Sequence, residues 1–284
     1  MAGIAYVNGQ YKRLADAQVD IEDRGYQFAD GIYEVCLVIG GRYWDAEGHL
    51  ARMARSLNEL SIRPPMSAAS LEVVMREVLK RNRLDNALVY IQVTRGVAPR
   101  NHPFPQADVK PALVMTARRF DLDQSDGQAQ TGVSVITQPD IRWGRVDIKS
   151  VALLPNVLAK QAAAEAGAAE AWLLRGGKIT EGASSNAWIV DENGDLITHP
   201  KSHEILGGIT RETAINCARD LQIKVHERPF TLEEAKAAAE AFITSATSLV
   251  MPVVKIDGDP IANGAPGPVA LRLRAAYKER AKRA

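Results

Sequence analysis

Five turn signatures frame this chain. Asn8-Gly9, Gly40-Gly41, Gly176-Gly177, Asn193-Gly194 and Asp257-Gly258 each stand between short apolar runs. Such pairs supply the backbone conformations that tight hairpins require. A chain punctuated in this way is built largely on antiparallel strands. In the first half, Ile4 to Val7 and Gly31 to Ile39 read as strands, with Arg42-Tyr43-Trp44 starting a return strand. Leu88 to Thr94 and Ala112 to Ala117 read likewise, and residues 20–30 read as polar and turn-like. Leu50, Met53, Leu57 and Leu60 recur at helical spacing. Pro64-Pro65 separates that helix from a second over about 68–82. This half reads as an α+β unit with a mostly antiparallel sheet.

Phe120 to Thr131 shows no apolar period and reads as a linker. A new strand then starts at Gly132. Pro155 opens an alanine-rich helix that stops at Gly167. Hairpins follow around Gly176-Gly177 and Asn193-Gly194. Thr210 to Leu221 reads as an amphipathic helix, and Thr231-Leu232-Glu233-Glu234 as a capping-box helix start. Phe242 to Thr244 reads as a strand, Val253 to Ile261 as a hairpin, and 267–283 as a basic terminal helix. The expected organisation is a small domain over 1–120, a linker over 121–131 and a larger domain over 132–284.

Composition narrows the function. The 284 residues carry 35 basic and 34 acidic side chains, a net charge of +1. That balance argues against nucleic acid or an anionic membrane as the main partner. No apolar run approaches the length of a membrane span, and no signal peptide is evident. Cys36 and Cys217 lie in apolar surroundings without metal-ligand spacing, as in a reduced, cytoplasmic protein. The histidines are scattered, and Pro200 separates His199 from His203, so no metal site is expected.

Several positions carry chemistry. Gly207-Gly208-Ile209-Thr210-Arg211 lies where a loop becomes a helix. It reads either as a phosphate cradle of free N–H groups plus a hydroxyl or as a glycine turn with a threonine N-cap. Thr244-Ser245-Ala246-Thr247-Ser248 is a hydroxyl-rich turn or a second phosphate contact. There is no Walker sequence and no Gly-x-Gly-x-x-Gly after a strand. Glu181, on a turn between strands, is a solvated charge or a partner for a ring nitrogen. Arg100 and His102 are surface groups or a clamp for a carboxylate. Lys149, in Asp147-Ile148-Lys149-Ser150, is one lysine among many unless it anchors a cofactor.

The order of these motifs is more specific than any of them. Arg24-Gly25-Tyr26-Gln27-Phe28-Ala29-Asp30-Gly31-Ile32-Tyr33-Glu34, His49-Leu50-Ala51-Arg52 and Asp147-Ile148-Lys149-Ser150 come first. Thr180 to Asn186, Gly208-Ile209-Thr210-Arg211 and Thr244 to Ser248 follow. The chain resembles the fold-type IV pyridoxal phosphate enzymes from about Tyr6 to Ile261, and most closely the D-amino acid aminotransferases. The Arg100-Asn101-His102 segment points there rather than to branched-chain aminotransferases. The resemblance implies a two-domain α+β fold, with a smaller N-terminal α/β sandwich and a larger, β-barrel-like C-terminal domain with helices. It implies pyridoxal 5'-phosphate as cofactor, held by Lys149 as an internal aldimine, with Glu181 on the pyridine nitrogen and Leu206 against the ring. Arg52, the Ile209 N–H, Thr210, Ser245 and the Ala246 N–H would hold the phosphate. Ala246 stands where relatives commonly carry threonine, so a hydroxyl contact is missing there. Tyr33, Arg100 and His102 would trap the substrate carboxylate, completed across a homodimer. The implied substrates are D-amino acids and 2-oxo acids. A branched-chain L-aminotransferase, an R-selective amine transaminase and an aminodeoxychorismate lyase share this chemistry. A noncatalytic phosphate-binding module would leave Lys149, Glu181 and Arg100 unexplained.

Overall fold

The computed structural model describes residues 3–106 and 108–283, and divides them into two compact units. The first holds the residues up to Asp121 together with Ile148–Ala152; the second holds Leu122–Asp147 and the residues from Leu153 onward. The segment carrying Lys149 therefore belongs with the N-terminal unit, although the sequence reading put it in the C-terminal domain.

The first unit is a six-stranded antiparallel sheet with helices. Its strands are β1 (Ile4–Val7), β2 (Gln10–Arg13), β3 (Gly31–Ile39), β4 (Arg42–Tyr43), β5 (Ala87–Thr94) and β6 (Ala112–Arg119), in the order β2-β1-β6-β5-β3-β4. The Asn8-Gly9 pair closes the first hairpin, with both residues at positive φ. Helices α1 (Arg24–Phe28), α2 (Ala46–Glu59) and α3 (Ala68–Asn82) complete the unit. Ile32, Cys36 and Val38 of β3 pack with Met53 and Leu57 of α2 and with Leu71, Met75 and Val78 of α3. Helix α1 occupies a stretch that reads as polar turn. Asp23 caps it by accepting from the Gly25 N–H at 2.8 Å, and Ala29 ends it in the left-handed region at φ 55°.

The second unit holds the remaining elements. Helix α4 (Leu122–Thr131) covers the stretch expected to be a linker; only Ser125 and Ala129 of it are buried, so it shows no apolar period. After it come β7 (Val133–Pro139), α5 (Leu154–Glu165), β8 (Glu170–Arg175), β9 (Lys178–Gly182), β10 (Asn186–Val190) and β11 (Leu196–Thr198). Then follow α6 (Ile209–Asp220), β12 (Val225–Glu227), β13 (Phe230–Thr231), α7 (Leu232–Ala237), β14 (Glu240–Ser245), β15 (Leu249–Ile256), β16 (Asp259–Pro260) and α8 (Pro268–Arg283). The sheet runs β12-β11-β10-β14-β15-β7-β8-β9-β13, with β16 on β15, and curls into a half-barrel. Parallel pairs β15/β7, β7/β8 and β11/β12 interrupt the antiparallel pattern. Trp172, Ile189, Ile243, Val253 and Phe230 fill its core. The capping box of α7 forms in full: Thr231 Oγ1 accepts from the Glu234 N–H and Glu234 accepts from the Thr231 N–H. No helix among the described residues is long and apolar enough to cross a membrane.

Candidate active site

Lys149 is placed by backbone pairing. Residues 149–151 run antiparallel along the edge of β3: the Tyr33 N–H donates to the Lys149 carbonyl at 3.0 Å, and the Val151 N–H to Gly31 at 3.0 Å. Gly31 is required here, because a Cβ would lie 2.7 Å from the Val93 carbonyl oxygen. The half-buried Lys149 side chain carries its Nζ 4.2 Å from the centre of the Tyr33 ring. Among the described residues that amine has no hydrogen bond or ion pair. Tyr33 in turn stacks on Tyr90 at 5.7 Å.

Behind this edge, α2 presents His49, Arg52 and Ser56 at i, i+3 and i+7, which one helical face can do. Arg52 grips Glu34 with Nε on Oε1 and Nη2 on Oε2, both at 2.7 Å, and His49 Nδ1 lies 2.9 Å from Oε2. Burial alone would raise the Glu34 carboxyl. The Arg52 charge and the bonds from Arg52 and His49 overcome that and hold it at about 2. Arg52, expected on a phosphate, is thus committed through two of its nitrogens to Glu34. Sequence reading quoted Glu34 and His49 without giving them a role, since neither shows its partner by spacing.

A carboxyl held so low stabilises the fold above its ordinary range, near 4.5, and loses that contribution as pH falls toward 2. About 2.5 units correspond to ~3 kcal/mol. The difference in urea-unfolding free energy between the parent protein and Glu34→Gln should therefore shrink by ~3 kcal/mol from pH 5 to pH 2. A difference independent of pH would mean that Glu34 is not ionised in this cluster.

Arg100 and His102 stand together on the surface of the first unit. Arg100 Cζ lies 5.0 Å from the centre of the Phe28 ring, and the His102 ring 5.4 Å from it. No contact joins either residue to Tyr33 among the described residues. The structure brings two of the three expected carboxylate ligands together and leaves the third beside Lys149.

In the second unit, Glu181 is buried at the end of β9. Its Oε1 and Oε2 accept the Leu206 N–H at 3.0 and 3.1 Å, Oε2 accepts Asn186 Nδ2 at 2.8 Å, and Arg142 Nη1 donates to Oε1. Arg142 also forks onto Asp140, from Nη2 to Oδ2 at 2.8 Å and from Nε to Oδ1 at 2.9 Å. Burial pushes the Glu181 carboxyl up to about 7, against the Arg142 guanidinium and the Leu206 N–H; the neighbouring Asp140 adds to the rise. Neither Arg142 nor Asn186 was assigned from the sequence. Arg142 lies 39 residues from its partner, and only Asn186's place in a quoted motif marks it.

Asn186 joins this carboxylate to the expected phosphate cradle. Its Nδ2 also donates to the Leu206 carbonyl at 2.9 Å, and it pairs across strands with Thr244, the residue before Ser245. Gly208 abuts it, for a Cβ there would lie 2.0 Å from Asn186 Oδ1. Gly208, not Thr210, is the N-cap of α6, and no side chain caps the helix. The first N–H groups of α6 are therefore without intrahelical or capping partners. Thr210 is buried in the first turn, with no hydrogen bond to its hydroxyl among the described residues. Ser245 Oγ accepts the Ser248 N–H at 3.0 Å and sits 3.1 Å from Thr247 Oγ1, so the hydroxyl-rich turn is knit to itself; Ala246 is half-buried. Glu181, Leu206, Gly208 and the end of β14 thus meet around one asparagine.

The family model described as amino-transferase class IV matches residues 31–256. A D-alanine aminotransferase from Staphylococcus haemolyticus is 41% identical over 274 residues, 96% of each chain. Another from Bacillus licheniformis is 42% identical over 271 residues, 95% of this chain and 94% of that one. Among solved structures, a branched-chain amino acid aminotransferase of T.th. with pyridoxamine 5'-phosphate superposes with a TM-score of 0.89. It is 26% identical, covering 100% of this chain and 96% of that one. With the family model spanning residues 31–256 and relatives 41% and 42% identical over nearly the whole length, the chain belongs to the class IV aminotransferases.

Proposed function

We propose that the protein transfers the amino group of D-amino acids, of the D-alanine and D-glutamate type, to 2-oxo acids, with pyridoxal 5'-phosphate as its cofactor. The observation that carries the substrate class is the 41% identity to D-alanine aminotransferase across 96% of both chains. The solved structures at 26% identity include branched-chain enzymes, which share the fold and keep an L-selective reading in play for the test below.

The residues fit the cofactor. An uncapped helix start with a glycine that tolerates no side chain, and a free Thr210 hydroxyl beside it, suit a phosphate dianion. Ile209 and Ala246 would donate backbone N–H groups there, and Arg52, Thr210 and Ser245 side-chain groups. Glu181, a buried carboxyl poised near neutrality, suits a ring nitrogen that shares its proton. Leu206, whose N–H is fixed on Glu181, would pack against the ring. The Lys149 amine, with no acid paired to it among the described residues, is available to serve as covalent anchor and proton carrier. When bound, the cofactor supplies the electron sink that makes the substrate Cα–H acidic.

The chain's own groups do the rest. Lys149 takes the proton from Cα and returns one, its Nζ standing 4.2 Å from the centre of the Tyr33 ring. Tyr33, Arg100 and His102 hold the substrate carboxylate. Lys149 approaches from one face only, so the side on which the carboxylate is held decides which enantiomer presents its Cα–H. Exposed apolar side chains support a homodimer: Leu154, Val157 and Leu158 lie on one face of α5, and Tyr26 and Phe104 stand near the Arg100 loop. Two buried cysteines outside any disulfide, Cys36 and Cys217, suit a reducing cytoplasm.

The test is a spectral titration of the purified yellow protein. D-alanine should convert the cofactor to its amine form at least ~100-fold faster than L-alanine or L-leucine. Rapid conversion by L-leucine would move the protein to the branched-chain reading, and 2-oxo acid release without amino-group transfer would move it to the lyase. A colourless protein would return it to simple phosphate binding.

A further inference from the structure

We propose that Arg24 and Phe28 of α1 form the platform that positions Arg100 and His102 for the substrate carboxylate. This rests on reading those two residues as the carboxylate ligands. Both are exposed loop side chains. An exposed arginine surrenders rotamer entropy when it is fixed. A loop that must hold a carboxylate within a fraction of an ångström therefore needs support from below.

Arg24 supplies that support to the backbone. It is buried, and its Nη1 donates to the Asn101 carbonyl at 2.5 Å and its Nη2 to the His102 carbonyl at 3.2 Å. Two consecutive carbonyls gripped by one planar fork fix the peptide planes on either side of the His102 Cα. The direction in which that side chain leaves the loop is fixed with them. The third nitrogen, Nε, donates to Asp30 Oδ2 at 2.8 Å. Arg95 holds the other side of Asp30, through Nε at 2.7 Å and Nη2 at 2.9 Å, and reaches the Leu60 and Ser61 carbonyls past the end of α2. Burial opposes the charge on Asp30, but the two arginines hold its carboxyl below the usual range. Every nitrogen of Arg24 already has an acceptor, so Arg24 is a positioning residue and not a substrate ligand.

Phe28 supplies support to the side chains. The Arg24 guanidinium lies 4.8 Å from the ring centre, that of Arg100 5.0 Å, and the His102 ring 5.4 Å. One aromatic ring thus carries both expected ligands and the residue that clamps their backbone. The short helix α1 holds Arg24 and Phe28 together. Gly25 lets it sit against Thr94, whose Cγ2 would lie 2.2 Å from a Cβ at that position.

The experiment measures D-alanine KM and kcat for the holoenzyme and for Arg24→Lys, Phe28→Leu, Arg100→Ala and the two doubles that add Arg100→Ala. Lysine keeps the charge on Asp30 but cannot grip two carbonyls, and leucine keeps apolar bulk but offers no ring face. Each platform variant should raise KM ~10-fold with kcat within about threefold, and propionate should inhibit it correspondingly less well. Each double should fall short of the product of its two single effects, because the platform acts partly through Arg100, with only its share through His102 left to lose. Effects that multiply in the doubles, a kcat that falls as far as kcat/KM, or unchanged KM values beside a weakened Arg100→Ala would overturn the proposal. If Arg24→Lys fails to fold, Phe28→Leu carries the same test without touching the buried charges. An unchanged KM in Arg100→Ala would instead remove the carboxylate reading on which the platform rests.

Discussion

Lys149→Ala is expected to lower turnover at least ~10³-fold in a protein that still folds. The two halves of that expectation come from different features. The backbone of residue 149 is held by the Tyr33 N–H and by the neighbouring pair between Val151 and Gly31, none of which involves the side chain. The side chain itself makes one favourable contact, its Nζ over the Tyr33 ring at 4.2 Å. A partly exposed cation–π contact contributes ~0.5–1 kcal/mol. The urea midpoint should therefore shift by no more than that contact accounts for. The expected chemical loss is far larger, because in the proposed function one amine would serve as both anchor and proton carrier. Turnover within tenfold of the parent would sink the assignment of Lys149. A collapse of the unfolding transition would mean that the side chain supports the fold in a way its contacts do not show.

The uneven legibility of this molecule in its sequence has physical causes. Hairpins marked by Asn8-Gly9 and Gly176-Gly177 and the capping box of α7 are local: the residues that announce them also make them. Helix α2 was readable because Leu50, Met53 and Leu57 face one core. Helix α1 was not, because it has no apolar stripe; Asp23, Arg24 and a threonine far along the chain hold it. Helix α4 escaped for a similar reason, since small and polar residues form its buried side. Lys149, Glu181 and the Gly208 turn are singled out by motif order. Arg142, Asn186 and the Glu34 cluster were invisible to spacing because each is defined by partners brought close only by folding. Arg52 shows the converse: the motif resemblance implies a phosphate contact, and the fold sets two of its nitrogens on the buried Glu34 carboxylate.

Glu181→Gln should lower kcat by roughly 10²–10³-fold while removing a specific pH dependence of the unliganded protein. Glu34 and Glu181 are both buried carboxyls paired to arginine, yet they shift in opposite directions, and the surroundings explain why. Glu34 has two nitrogens of Arg52 and also His49. Glu181 has one nitrogen of Arg142, which is drawn away by a fork onto Asp140, itself reached by Arg175 at 3.2 Å. Burial therefore wins at Glu181, and its carboxyl sits at about 7 instead of 4.5. A raised acid binds its proton more tightly in the folded state. Stability contributed relative to glutamine is then lost as pH rises from 4.5 to 7, the opposite sign to Glu34. About 2.5 units set the size at ~3 kcal/mol. The difference in unfolding free energy between the unliganded parent and Glu181→Gln should fall by that amount between pH 4.5 and pH 7.5, and stay level above it. Adding pyridoxal 5'-phosphate should flatten the slope, because a ring nitrogen that brings its own proton gives the ionised carboxylate the partner that Arg142 only half provides. A slope unchanged by the cofactor would detach Glu181 from the ring nitrogen, and full activity in Glu181→Gln would remove it from the reaction. Of the two carboxylates, the one the fold leaves short of positive charge is the one equipped to receive it from a ligand.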